Sequence, residues 1–158
     1  MGYTHYWNRD ESLLSPEDYR EFYAQFTRLA VKVIQTAEQQ GIEIADPSGE
    51  HLGAWRVDGE SVRLNGYGED SYESFVWEKV CPETQNSKLV TGYFDFCKTA
   101  RKPYDTVVTA LLLAAREAYG SAVRIDSDGS PSEWVDGLQL FYQATQLVTT
   151  VRFEKVTA

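Results

Sequence analysis

Apolar residues recur along the chain with two periods, and the change from one to the other outlines the elements. Tyr19, Phe22, Tyr23, Phe26, Leu29, Ala30, Val33 and Ala37 follow the helical repeat. Ser15-Pro16-Glu17-Asp18 supplies a cap, a proline for the first helical position and acids for the positive dipole end. Gly41 supplies the stop. The spacing predicts a long amphipathic helix. Before it, Gly2-Tyr3-Thr4-His5-Tyr6-Trp7 is aromatic and predicts a strand, with Tyr3, His5 and Trp7 on one face and Thr4 and Tyr6 on the other.

The period then shortens to two. Ala54 to Val57 and Val62 to Leu64 flank Asp58-Gly59, a hairpin signal. Ser74 to Lys79 alternates, with Phe75 and Trp77 opposite Val76 and Glu78. Polar, turn-rich stretches at 66–70 and 82–88 read as loops. The helical period returns after Pro103 with Val107, Val108, Leu111, Leu112, Ala115 and Ala118. Leu113 and Ala114 make this second helix apolar nearly all round, so it belongs at the centre of the core, and Gly120 ends it. Val123 to Asp126 predicts a short strand. Ser130-Pro131-Ser132-Glu133 has the form of a capping box opening a third helix over Trp134, Leu138, Phe141 and Tyr142. The Val- and Thr-rich tail from Leu147 suits a strand but follows the helix without a breaker. The sum is one α+β domain over residues 1–158, a small, mostly antiparallel sheet with three helices.

Composition narrows the function classes. The net charge of −9 over 158 residues opposes affinity for extended nucleic acid or an anionic membrane surface. No secretory signal or 18-residue apolar run is visible, and the only two cysteines, Cys81 and Cys97, form no disulfide framework. The expectation is a cytoplasmic protein without a cofactor, with a homo-oligomer or a protein partner left open.

Charge is not spread evenly. Residues 96–120 alone are net positive, at +2, and Lys98, Arg101 and Lys102 crowd just ahead of the central helix. A helix start offers free amides and partial positive charge, so this island predicts an anion site with Thr99 beside it. Asp95 and Asp105 are the acids at hand to neutralise it instead. His5, Tyr6 and Trp7 offer an aromatic wall for the flat part of a ligand, if that wall meets the island.

Other chemistry is weaker. Gly92 to Thr99 nearly fits a phosphate loop, but Cys97 replaces its second glycine and Pro103 delays the helix. Cys97 beside Lys98 and Arg101 is a possible thiolate with His5 as base. The His and Cys positions lack zinc spacing, and Asp126 to Gly129 reads as a turn rather than a calcium loop, so no metal is expected.

Three strings, Gly2 to Trp7, Phe96 to Asp105, and Ser127-Asp128-Gly129 followed by Glu133-Trp134, resemble a family of bacterial and bacteriophage proteins with a GYTHYW-like start and an FCKTARKPYD-like centre. No activity attaches to that family. The resemblance implies a bacterial or phage setting, in which sequestering a signalling nucleotide is one purpose. The leading expectation is a binding protein for a small anionic, nucleotide-like ligand. A protein-interaction module, and a hydrolase or transferase using Cys97 or His5, are the alternatives.

Overall fold

The computed structural model describes residues 2–11, 14–81 and 92–156. Strand β1 (Thr4–Arg9) lies between β6 (Tyr93–Lys98) and β7 (Val123–Ser127) in one sheet. In a second sheet, β4 (Ser61–Gly66) pairs with β2 (Ile44–Ala45), β3 (Arg56–Val57) and β5 (Phe75–Glu78). All these pairings are antiparallel. The fold is α+β as the pattern predicts, with the strands divided between two sheets. The loop expected over 82–88 lies outside the described residues.

Helix α1 (Pro16–Gln39) starts as expected. Ser15 Oγ accepts from the Asp18 amide and Asp18 Oδ2 from the Ser15 amide, a reciprocal cap, both at 3.2 Å. Helix α2 (Asp105–Tyr119) is the core helix, with Glu117 its one exposed residue. It packs against α1, α3 (Val135–Thr145) and β7. Its contact with α3 is close at Gly137, where a Cβ would stand 1.9 Å from Thr109 Oγ1.

The start of α3 departs from the expected capping box. Pro131–Trp134 form a 3-10 turn first, and Ser130 Oγ bonds Ser132 Oγ at 2.8 Å instead of capping. Glu133 is drawn away to Arg101. Residues 146–156 are neither helix nor strand, though the Glu154 amide donates to the Ile125 carbonyl at 2.8 Å along the edge of β7.

The two sheets are joined through Arg9, a buried cation on β1. Its guanidinium lies 4.2 Å from the Trp77 ring, donates to Glu11 Oε1 through Nε (2.9 Å) and Nη2 (2.5 Å), and donates to the Glu78 carbonyl at 2.8 Å. A buried charge needs such partners, and here they span β1 and β5.

Candidate functional site

Strand β1 turns Tyr3, His5 and Trp7 toward the core and Tyr6 to the opposite face. His5 is fully buried at the start of α2. Its Nε2 lies 2.6 Å from Asp105 Oδ1, and the same oxygen accepts from Thr99 Oγ1 at 2.6 Å. Its Nδ1 lies 2.8 Å from Ser127 Oγ, at the end of β7. Ser127 Oγ also accepts from the Gly129 amide (2.9 Å) and from Trp134 Nε1 (3.2 Å). With both lone pairs taken, the hydroxyl proton goes to His5 Nδ1, and the imidazole is the tautomer that donates from Nε2 to Asp105.

The order Ser127–His5–Asp105 follows the sequence of roles in a hydrolytic triad. The geometry works against that use. A nucleophile attacks through a free lone pair, and Ser127 has none; His5 has no exposed surface from which to meet a substrate. The chain of bonds is a lock between β1, the α2 start and the 127–134 turn. Asp128 adds to it, accepting from the Thr4 amide at 3.0 Å while its own amide donates to the Thr4 carbonyl at 2.9 Å.

The lock also fills the anion site expected at the helix start. The negative charge there is the side chain of Asp105, and the first amides of α2 bond the carbonyls of Lys102, Pro103 and Tyr104. Arg101 is turned outward by two successive left-handed residues, Ala100 (φ 51°) and Arg101 (φ 59°), held by amides of Thr99 and Ala100 that both donate to the Tyr3 carbonyl. Its guanidinium lies 4.0 Å from the Tyr3 ring centre and pairs with Glu133 at 2.5 Å. The Lys98 ammonium stands 5.6 Å from the Tyr72 ring. Lys102 is half-buried and makes no ion pair among the described residues.

The aromatic wall does not form as expected. Trp7 is 1% exposed and stacks on Trp77 in the core. Tyr6, on the far face, stacks on Phe94 and donates to Asp128 Oδ1 at 3.0 Å. Of Tyr3, His5 and Trp7 on the wall face, Tyr3 meets the island through Arg101 and His5 does so inside the lock, while Trp7 does not. Cys97 is fully buried with its thiol 3.5 Å from the Glu73 carbonyl. Burial, reinforced by the Glu73 charge, pushes that thiol far above its ordinary range, the reverse of what a thiolate nucleophile needs. Among the described residues, no group of three or more His, Cys, Asp or Glu side chains is placed to hold a metal.

No family model, curated protein or solved structure matches the chain.

Geometry offers a second location. The N-terminal two-thirds of α1 runs beside the β3–β4 hairpin and the end of β5, leaving a groove of about 740 Å³. Arg20, Arg28, Lys32 and Lys79 line it, over Ala24 and Val57. None of these four side chains makes an ion pair or hydrogen bond among the described residues. The one acid in the lining, Asp58, is engaged already: its carboxylate accepts from the Glu60 and Ser61 amides and pairs with Arg56. The Glu60 amide first, then Arg56 and the Ser61 amide, hold the Asp58 carboxyl down at about 2.

Sequence reasoning missed this groove because block sums hide it: residues 1–50 are net −5. The legible signal was spacing. Positions 20, 28 and 32 fall within about 120° of arc on a helix. It also missed Ser127, Trp134 and Tyr3 as members of the lock, although each lies within the strings that carry the family resemblance.

Proposed function

We propose that the protein binds an anionic ligand, and that its binding surface is the groove along α1. One observation carries this: among the described residues the four cations around the groove make no ion pair or hydrogen bond through their side chains, in a chain with an excess of acids. Arg28 and Lys32 stand one helical turn apart with like charge, an arrangement that costs about 0.2–0.5 kcal/mol on an isolated helix. Arg20 adds a third cation to the same side of the helix. An anion seated among them reverses the sign of this effect.

The groove supports the anionic part of the sequence expectation, at a different address. It lends nothing to the flat, base-like part. Tyr23 is 4% exposed with its hydroxyl on the Asp58 carbonyl, so its ring offers no free face for stacking. The chemistry of Cys97 and His5 adds no support for an enzyme, since both are buried and His5 is bonded at both nitrogens.

The test is thermal unfolding with added tripolyphosphate, an anion with no base or sugar. Saturable stabilisation of the wild type is expected, because a ligand that binds only the folded state raises the midpoint. The shift disappears in Arg28→Ala/Lys32→Ala and survives in Lys98→Ala. An equal shift in all three proteins, or none in the wild type, refutes the groove.

A further inference from the structure

From the shape and spacing of the groove we infer that its occupant is an acidic peptide segment of a partner protein, bound in extended form. This rests on the reading of the groove as an anion site and goes on to name the occupant. A second hollow of about 460 Å³, lined by Pro16, Tyr19, Arg20, Lys79 and Val80, shares Arg20 and Lys79 with the first. The two form one trough along α1 from Lys32 to Pro16, about 24 Å at the helical rise. That length takes about seven residues of extended chain. It is far longer than a single phosphate group or a small dicarboxylate.

The charges are spaced to match. Arg28 and Lys32 form one cationic pair, and Arg20 with Lys79 forms another. Arg20 and Arg28 are eight residues apart, about 12 Å along the helix. In an extended peptide, side chains at i, i+2 and i+4 point the same way, and i to i+4 spans about 13 Å. An acid at i and another at i+4 therefore reach both pairs, while the side chain at i+2 lies over Ala24 and Val57 between them. The ligand pattern is acid–x–apolar–x–acid. Val80, 69% exposed at the far end, offers one more apolar contact. The hydroxyls of Tyr19 and Tyr23 are bonded to the Glu11 and Asp58 carbonyls and the Tyr23 ring is buried, so neither hydroxyl is free to bond a nucleobase. The overall charge of −9 does not prevent the encounter, since at physiological salt charges beyond about 8 Å are largely screened.

The probe is a fluorescein-labelled heptapeptide, Gly-Glu-Thr-Leu-Thr-Glu-Gly, followed by anisotropy at 50 and 200 mM NaCl. Saturable binding is expected, weaker at the higher salt. It falls at least tenfold in Arg28→Ala/Lys32→Ala and again in Arg20→Ala/Lys79→Ala. Replacing the peptide leucine by serine weakens it further. Arg20, Arg28 and Lys32 are exposed and Lys79 is half-buried, and Lys32→Gln with circular dichroism guards against a folding artefact. If tripolyphosphate stabilises the protein but the peptide does not bind, the peptide inference falls and the anion groove stands. If neither binds, both fall. Equal binding of the peptide to wild type and both double variants overturns the inference by placing the contact elsewhere.

Discussion

Ser127 shows how much one hydroxyl can hold. It donates to His5 Nδ1 and accepts from Trp134 Nε1 and the Gly129 amide. Ser127→Ala leaves these groups without a partner near the core. At about 1–3 kcal/mol for each of the three buried groups left unpaired, the expected loss is at least about 3 kcal/mol, read as a lower urea midpoint at unchanged slope. A loss under about 0.5 kcal/mol would show that the lock is not structural. Asp58 makes a second residue-scale prediction. Its carboxyl, held at about 2 by the Glu60 and Ser61 amides and by Arg56, lies below the unfolded value of about 3.9. The stability it lends the hairpin is therefore complete above about pH 4 and is lost as pH falls through about 2. A carboxyl titration followed by NMR should give a midpoint near 2; one near 4 would mean the turn bonds are absent in solution. Of these residue roles, sequence showed only the turn at Asp58-Gly59. Ser127 was visible as part of a family string, but its partner His5 lies 122 positions away, and only the β1–β7 register unites them.

At the scale of elements, local chemistry and structure agree where the signal is local. Ser15 and Asp18 cap α1 as read, and Ser15→Ala should cost about 1 kcal/mol in unfolding free energy. The apolar wrap of α2 correctly implied a central helix, because a helix without a polar face must be covered on all sides. Ser130 had the same local signature and failed as a cap, since Arg101 offers Glu133 a charged partner that the local motif cannot show. Gly137 decides the α2–α3 contact. Gly137→Ala gains about 1 kcal/mol of helix propensity. It also places a Cβ 1.9 Å from Thr109 Oγ1 and 3.2 Å from the Ala110 amide nitrogen. The clash includes side-chain and backbone atoms of a buried helix, so overpacking outweighs propensity and the variant should unfold at a lower temperature. A higher midpoint would mean that α3 stands off from α2.

For the whole molecule, the sign of the total charge misled less than its averaging by blocks. The island at 98–102 is the densest run of cations in sequence, yet in space it borders the chain's own Asp105 and Glu133. Arg20, Arg28, Lys32 and Lys79 are scattered among acids in sequence, and the fold collects them around one groove with no side-chain partner among the described residues. A pattern along the chain cannot reveal that Lys79, at the end of β5, faces α1; that follows from how the β3–β4–β5 sheet lies against the helix. The most direct test of the groove is to map an anion residue by residue, by titrating tripolyphosphate into the nitrogen-15-labelled protein and following amide shifts. The groove predicts saturable changes over residues 20–32, at Val57 to Gly59 and at Lys79. Changes confined to residues 98–105, or none anywhere, would contradict it.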